Sequence, residues 1–264
     1  MAVLTTGVAE QYSTSQKLAA RARLHTQYSV SNEGWFEWVG RRLGLREGDT
    51  VLDVGCGPGW FWQGTAHLLP ERLKVTLADQ SGGMVKEALE QCGSMKRWSV
   101  TGVEADAAAL PFADASFDTV VAMHMLYHVP DQARAIAEMH RVLKSGGLLA
   151  VTTNGANNLR DLYALTTVFG SEPVEPVAAV FGLDIAERRL RALFGNATRE
   201  VQPASLRITL PDDVFMALTS YPPGDGAREE QLTAFRAAID AAFARGNGVL
   251  DTGKEVGLLL SRKA

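Results

Sequence analysis

A buried strand that runs straight into a glycine-rich turn is the feature that most constrains this chain. Residues 50–54 predict the strand, and the turn after it carries Gly55, Gly57 and Gly59. Glycines let the backbone turn tightly and approach a ligand with no Cβ in the way. In open parallel sheets, ligands bind beyond the carboxyl ends of the strands. The turn therefore predicts a ligand site in an α/β fold.

The segments after this turn alternate between short apolar strands and helices. Such alternation is typical of a parallel sheet with both faces covered. With two later strands, it predicts an α/β fold: a Rossmann-like, seven-stranded, mostly parallel sheet with helices on both faces. Ser81 is expected to cap the second of these helices. The predicted strands are 73–78, 98–103, 117–123 and 148–153, and the predicted helices are 60–69, 82–91 and 131–143.

A change of pattern after residue 155 predicts a second structural unit. Residues 169–183 read as a loop that contains proline, glycine and large apolar side chains, and residues 201–210 read as one strand. Further predicted helices are 156–168, 184–194, 211–220 and 227–245, and a last strand is 255–263. The chain is thereby divided into a helical N-terminal lid (1–45), a core (46–155), an acceptor-binding cap that also completes the sheet (156–246) and a final strand (247–264).

Charge and composition argue against several classes of partner. The net charge is −4 and the sequence pI is about 5.8, which does not favour nucleic acid or an anionic membrane. No apolar stretch reaches the length of a membrane span. Two cysteines are too few for a disulfide framework. We therefore expect a cytoplasmic protein with no nucleic acid or membrane partner, and we leave its oligomeric state open, a homodimer included.

The glycine spacing distinguishes two classes of nucleotide site. A dinucleotide fingerprint has the spacing G-x-G-x-x-G, which from Gly55 and Gly57 would place its third glycine at position 60. That position is Trp60, whose side chain would oppose close packing of the helix on the strand. The spacing therefore disfavours an NAD-dependent dehydrogenase.

Three further signals follow the turn in order. Asp79 ends the second strand 20 residues after Gly59, residues 104–107 read Glu-Ala-Asp-Ala, and residues 141–147 read Arg-Val-Leu-Lys-Ser-Gly-Gly before the fifth strand. Together with the turn, these segments resemble the class I S-adenosylmethionine-dependent methyltransferases. The resemblance is strong over roughly residues 45–155 and weak elsewhere.

The resemblance implies S-adenosyl-L-methionine as the cofactor and assigns residues to it. Asp79 would accept hydrogen bonds from the ribose hydroxyls. Gln80 and Met84 would flank the adenine, although Met84 is equally well explained as a core residue. Asp106 and Ala107 would lie at the adenine edge. The implied cofactor-binding residues are Tyr12, Tyr28, Asp53, Gly55, Gly57, Gly59, Asp79, Gln80, Met84, Asp106, Ala107 and His124.

Several side chains outside the glycine turn invite a functional interpretation. Tyr12 and Tyr28 resemble N-terminal tyrosines that close over the cofactor in small-molecule methyltransferases. Tryptophans such as Trp35 and Trp62 fit either a core or a lid over a flat or cationic group. Cys56 is better explained as a small residue in a tight turn than as a nucleophile.

His124 is the candidate catalytic base. It follows strand 117–123 at the edge of the sheet that faces the transferred methyl group in this fold, and an imidazole titrates near neutral pH. The alternative is a histidine that only lines the pocket or hydrogen-bonds the chain. His128 is expected to be structural. The spacing of the two histidines suits a metal, but no third ligand follows, so no metal site is predicted.

The sequence thus predicts methyl transfer to an O or N atom of a small organic acceptor, with transfer to a carbon atom as the alternative, in a pocket formed by the lid and the cap. Such an acceptor suits specialised metabolism. Two alternatives remain: a methyltransferase that acts on RNA or protein, and a non-catalytic protein that binds the cofactor.

Overall fold

The fold is taken from a computed structural model that describes residues 16–93 and 95–264, with side chains from residue 22 onward. The helices and strands of the first half are α1 (Gln16–Tyr28), β1 (Ser29–Val30), α2 (Trp35–Arg42), β2 (Thr50–Val54), α3 (Trp60–Thr65), β3 (Lys74–Asp79), α4 (Gly82–Cys92), β4 (Ser99–Glu104) and β5 (Phe117–Met123). Those of the second half are α5 (Gln132–Val142), β6 (Leu143–Asn154), α6 (Arg160–Leu165), α7 (Pro176–Phe181), α8 (Leu183–Phe194), β7 (Thr198–Val201), β8 (Ser205–Ile208), α9 (Pro211–Leu218), α10 (Glu229–Arg245), β9 (Leu250–Gly253) and β10 (Val256–Arg262).

Seven strands form the main sheet in the order β4-β3-β2-β5-β6-β10-β7. The pairs from β4 to β6 are parallel, and β10 runs antiparallel to both of its neighbours. The predicted fold class is therefore confirmed. Because the chain moves outward from β2 to β4 and then returns to β5, the strand order reverses between β2 and β5. Ligands of doubly wound sheets bind at such a reversal.

Apolar side chains cover both faces of this sheet. On one face α5 and α8 bury residues such as Ile136 and Leu190, and on the other α2 and α3 bury Trp38 and Trp62. The strands themselves are rich in buried valine and leucine, which suits a sheet that is covered on both sides. The amphipathic helices and the buried strands thus build two apolar layers around one sheet.

A third apolar cluster lies outside the main sheet, in a unit that we call the cap. It comprises α1, α6, α9, α10 and an antiparallel three-stranded sheet in the order β1-β8-β9. Leu24 and Tyr28 of α1 are buried together with Leu206, Phe235 and Ile239 of the cap. The segment predicted to be a lid therefore shares a core with the cap.

The structure differs from the predicted elements mainly after residue 143. Residues 201–210 do not form one strand, because Pro203 has no N–H to donate to a ladder and the chain passes there from β7 in the main sheet to β8 in the small sheet. The predicted loop 169–183 contains α7, which begins with Pro176 behind the capping side chain of Glu175.

Other boundaries move by a few residues. The helix expected at 131–143 ends at Val142, and 143–147 already belong to β6. The predicted cap at Ser81 is confirmed, since the Met84 N–H donates to Ser81 Oγ at 3.3 Å. None of the helices within the described ranges combines the length and the apolar character of a membrane span.

Candidate active site

The glycine turn after β2 lies at the reversal of strand order. All three glycines have positive φ (71° at Gly55, 52° at Gly57 and 81° at Gly59), a region that favours glycine. A Cβ on Gly55 would come within 2.7 Å of Met125 Cβ, and one on Gly59 would meet Cys92 Sγ at 3.0 Å. Gly55 and Gly59 are therefore closed in by protein.

Gly57 differs from its two neighbours in the turn. A Cβ there would have no atom within 4 Å, so the turn is open at this position. The Gly57 N–H donates to Asp79 Oδ2 at 3.1 Å, and the Ser81 N–H donates to Asp79 Oδ1 at 2.9 Å. Burial raises the pKa of Asp79, and these backbone bonds oppose the rise. The carboxylate is thus fixed beside the open turn and keeps lone pairs for a ligand.

Asp53 is the most unusual acid of the site. It is 2% exposed, its Oδ2 accepts from Trp62 Nε1 at 2.8 Å, and its Oδ1 has no partner. Burial raises the pKa of Asp53 to about 7, against the hydrogen bond from Trp62 and with a smaller contribution from the charge of Asp79. A buried carboxylate oxygen without a donor calls for one from a ligand. Trp62 is fully buried, so it belongs to the core and positions Asp53.

The residues expected at the adenine lie along the adjoining strand ends. Gln80 and Asp106 are exposed, and Asp106 Oδ1 accepts from the Ala108 N–H at 2.8 Å, which leaves its second oxygen available. Ala107 and Met84 are buried, at 7% and 2% exposure. The structure thus places these four residues on the β3 and β4 side of the turn.

His124 lies directly after β5, at the carboxyl edge of the sheet. Its φ of 52° is uncommon outside glycine, and such strain persists only where the surroundings impose it. Its backbone N–H donates to the Thr152 carbonyl at 3.2 Å, and its ring centroid lies 5.6 Å from that of Trp35. Burial lowers the pKa of His124 to about 4, with a further contribution from Lys254. At neutral pH the imidazole is therefore uncharged and has a free lone pair for a proton.

The N-terminal tyrosines have different outcomes. Tyr12 lies outside the described residues. Tyr28 is in the cap core, where its hydroxyl donates to Asp213 Oδ2 at 2.5 Å and Arg23 Nε donates to Oδ1 at 3.0 Å. This contact already occupies the hydroxyl, so the structure does not support a role for Tyr28 in covering the cofactor. That role stays a prediction.

The remaining candidates have limited chemistry. Cys56 is half-buried, and burial raises the pKa of its thiol, which keeps it protonated and poorly nucleophilic. His128 lies in a short 3₁₀ turn with its ring 4.5 Å from that of Tyr127. Within the described ranges, no three histidine, cysteine or acidic side chains form a metal-binding group.

Sequence reasoning missed two residues near His124. His25 on α1 and Lys254 between β9 and β10 influence each other and His124 electrostatically. Only the packing of the cap against the sheet brings these three distant positions together. In the sequence, a single histidine and a single lysine give no signal of this arrangement.

The fold and the turn together define a class of protein. A Rossmann-like sheet with one antiparallel strand, an open glycine turn at the strand reversal and acids at the ends of β2 and β3 are typical of class I S-adenosylmethionine-dependent methyltransferases. Comparison with family models agrees, because residues 52–151 match the methyltransferase domain. Residues 52–151 thus have the sequence of a methyltransferase domain, in a fold typical of the class I S-adenosylmethionine-dependent enzymes.

A curated relative shares this part of the chain. The demethylmenaquinone methyltransferase of Staphylococcus aureus is 36% identical over 134 residues, which cover 50% of this chain and 55% of that protein. The chain thus spans about half the length of the curated relatives it matches.

Solved structures extend the likeness to the fold of nearly the whole chain. The YcgJ protein of Bacillus subtilis has a TM-score of 0.59 and 19% identity, over 86% of this chain and 97% of that one. Another similar structure is phosphoethanolamine N-methyltransferase 2 of Haemonchus contortus, in complex with phosphomonomethylethanolamine and S-adenosylhomocysteine. Its TM-score is 0.60 with 18% identity, and the match covers 100% of this chain and 60% of that one. The [4+2]-cyclase SpnF has a TM-score of 0.57 and 21% identity, and the match covers 97% of this chain and 95% of that one.

Proposed function

We propose that this protein transfers the methyl group of S-adenosylmethionine to an O or N atom of a small organic acceptor. The observation that carries the proposal is the open turn at Gly57, flanked by the unpaired Asp53 Oδ1 and the fixed carboxylate of Asp79. A glycine with free space and two acids around it suits a ligand that carries an ammonium group and ribose hydroxyls.

The residues of the turn have distinct tasks in this proposal. Asp53 Oδ1 accepts a hydrogen bond from the ammonium group of the methionine moiety, and Asp79 accepts from the ribose hydroxyls. Gln80 and Met84 flank the adenine. Asp106 and Ala107 lie at the adenine edge. The bound cofactor supplies an activated electrophilic methyl group, so the chain must align donor and acceptor and keep water out.

His124 is the proposed base for the acceptor. An O or N acceptor that carries a proton must lose it during methyl transfer. The imidazole is uncharged at neutral pH and lies at the carboxyl edge of β5, next to the turn. Its left-handed backbone is the kind of local strain that clusters at active sites.

The acceptor is proposed to bind between this edge and the cap. The cap lies outside residues 52–151, which match the methyltransferase domain. The names of two similar proteins specify organic acceptors that are neither nucleic acid nor protein, demethylmenaquinone in one and phosphoethanolamine in the other. The net negative charge of the chain does not favour a nucleic-acid partner.

Calorimetry of the purified chain with S-adenosylmethionine, S-adenosylhomocysteine and NAD tests the cofactor. We expect binding of the first two and none of NAD. Asp79→Ala removes a charged acceptor, so the affinity for S-adenosylhomocysteine should fall about tenfold or more, while Asp114→Ala on the surface should leave it unchanged. An unchanged affinity in folded Asp79→Ala would remove Asp79 from the site.

An acceptor screen that follows S-adenosylhomocysteine formation tests the reaction. Since one protein of this fold is a [4+2]-cyclase, the fold alone does not decide the chemistry. Turnover with a small acceptor would support the proposal. Tight cofactor binding with no turnover on small molecules, RNA or protein would instead identify a non-catalytic cofactor-binding protein.

A further inference from the structure

Three basic side chains from distant parts of the chain converge at the carboxyl edge of β5. His25 comes from α1, His124 follows β5, and Lys254 lies between β9 and β10. The positive charge of Lys254 lowers the pKa of both imidazoles, and His124 also affects His25, although burial is the largest cause in each case. The three groups are therefore close enough to interact electrostatically, and we call their surroundings the cationic recess.

No acid compensates these groups. Within residues 22–93 and 95–264, no carboxylate forms an ion pair with any of the three. The hydrogen-bond partner of Lys254 Nζ is Ser29 Oγ at 3.3 Å. The neighbouring Glu255 is directed elsewhere: its Oε1 lies 3.7 Å from Arg199 Nη2, and its Oε2 accepts from the Asn157 N–H at 2.8 Å.

This arrangement is costly in the absence of a ligand. Burial lowers the pKa of Lys254 to about 8, which still leaves most of the ammonium charged at neutral pH. A partly desolvated ammonium with one hydroxyl partner and two basic imidazoles within electrostatic reach is destabilising unless an anion joins it. Salt bridges elsewhere in the protein pair such cations with acids, as Lys144 does with Asp118 at 2.8 Å.

Trp35 adds an independent observation at the same place. Its Nε1 is buried and has no hydrogen-bond partner. The Trp35 ring lies 5.6 Å from that of His124 and stacks on Trp38 with centroids 5.4 Å apart. Buried indole N–H groups normally have an acceptor. The recess thus combines an unused N–H donor, a cation and an aromatic wall.

From this geometry we infer that the cationic recess binds an oxyanion of the methyl acceptor, a carboxylate or a phosphate on a small organic molecule. The inference rests on the proposed function, whose substrate class it narrows to anions. The oxyanion accepts hydrogen bonds from Lys254 Nζ and Trp35 Nε1 and supplies the missing negative charge. It also makes protonation of His124 easier, which strengthens that imidazole as a base for the same acceptor.

Nuclear magnetic resonance titration of the histidines tests this binding directly. The full chain, saturated with S-adenosylhomocysteine, is titrated over pH with and without benzoate, and separately with phenyl phosphate. We expect at least one of the two anions to raise the proton affinity of His25 and His124 about tenfold or more. His67, whose side chain is 62% exposed and pairs with Glu37, is the internal control and should not respond.

Variants of Lys254 and Trp35 test the named donors. Lys254→Met keeps the length of the side chain and should weaken binding of the responding anion about tenfold or more, whereas Lys254→Arg should retain it. Trp35→Phe should weaken binding while the ring remains. Lys86→Met, at a side chain that is 80% exposed, is the matched control.

The two anions distinguish a carboxylate acceptor from a phosphate acceptor, and a response to either supports the inference. Identical titration of His25 and His124 with and without both anions, or an equal response of His67, would overturn it. Cofactor binding is measured on the same samples by calorimetry. Intact cofactor binding without an anion response defeats this inference alone, whereas loss of cofactor binding defeats the proposed function.

Discussion

Two regions of the molecule are held together in different ways: the cap, and the cofactor half, by which we mean the main sheet with its glycine turn and flanking helices. In the cofactor half, the polar contacts of the site join neighbours along the chain: Trp62 to Asp53, 9 residues apart, and Gly57 to Asp79, 22 apart. In the cap, Asp213 ties down Arg23 and Tyr28, which are 190 and 185 residues away. The contacts at the turn are encoded in a local sequence pattern. The contacts in the cap form only after two distant segments of the chain have packed together.

This difference suggests a division of labour. The matched domain, residues 52–151, contains the turn proposed for the cofactor and is shared with methyltransferases. The cap supplies His25 and Lys254, and both residues lie outside the matched domain. We therefore expect changes in the turn to affect cofactor affinity and changes in the cap to affect the acceptor. The following predictions test this separation, from the largest expected effect to the smallest.

Gly57→Val should reduce the affinity for S-adenosylmethionine by about 100-fold or more. A β-branched side chain would fill the open space at the turn, and its left-handed backbone adds strain of about 1–3 kcal/mol. Gly146→Val is the matched control, because Gly146 also has positive φ (75°) and open space but lies in the first part of β6, at the amino edge of the sheet. Calorimetry and thermal melting should show similar destabilisation in both and lost binding in only one. Equal cofactor affinity in both variants would refute the open turn as the cofactor site.

His124→Asn should lower kcat by about 100-fold and leave cofactor affinity near that of the wild type. Asparagine tolerates the left-handed backbone of this position but cannot act as a base. General base catalysis contributes about 100- to 10,000-fold. Steady-state rates with the acceptor found by the screen provide the measurement, and His67→Asn is the surface control. A kcat near that of the wild type would make His124 a residue that only lines the pocket.

Glu175→Ala should lower the free energy of unfolding by about 3 kcal/mol and loosen the cap. Glu175 is 2% exposed, and burial raises its pKa. Its oxygens accept from Asn158 Nδ2 at 2.8 Å, Asn154 Nδ2 at 3.1 Å and the Tyr163 hydroxyl at 3.2 Å, and removal of the carboxylate would strand these buried donors. Glu175→Gln, which keeps one acceptor, should lose less.

Denaturant unfolding and hydrogen exchange together measure this effect. Exchange should accelerate in α6 and α7 more than in β2 and β3, since Glu175 joins the first two to the end of β6. Uniform acceleration throughout the main sheet would show that the cap and the cofactor half unfold as one unit.

The sequence patterns predict the strands and the turn of the cofactor half because the signals for them are local. The apolar strands, the glycine spacing and the Asp79 position each depend on a few consecutive residues, and the structure places them together at one edge. The unpaired oxygen of Asp53 was not foreseeable, because it depends on which oxygen Trp62 engages. The composition of that turn predicts its shape but not which polar atoms remain unused.

The elements after residue 155 were less predictable, because their contacts join distant parts of the chain. The break at Pro203 and the helix behind Glu175 were missed because neither segment has a long periodic pattern. Tyr28 resembled a residue that covers the cofactor, yet its hydroxyl bonds to Asp213, a partner 185 residues away. Contacts between distant chain segments leave no signal in a single sequence.

The smallest expected effect is the pH dependence of cofactor affinity set by Asp53. Its pKa is raised from 3.8 to about 7, mainly by burial. The stability that this raised pKa contributes is therefore fully present below pH 4 and is lost as the pH rises toward 7. An ammonium group bound at Oδ1 favours the charged carboxylate, so binding should release protons near pH 6.5, and affinity for S-adenosylhomocysteine should rise about three- to tenfold between pH 6 and 7.5.

Calorimetry in two buffers of different ionisation enthalpy measures that proton release. Asp79 also has a raised pKa and influences Asp53, so the wild-type profile belongs to the pair of acids. Asp53→Asn resolves the two, because it removes one titration and keeps the acceptor oxygen and the shape. If Asp53 faces the ammonium group, the variant should bind more weakly at pH 7.5 and show little change with pH. If the profile of Asp53→Asn retains its slope, the titrating group is Asp79, and Asp53 serves only to position the turn through Trp62. Either outcome leaves the cap untouched, since no residue of the cap takes part in this equilibrium.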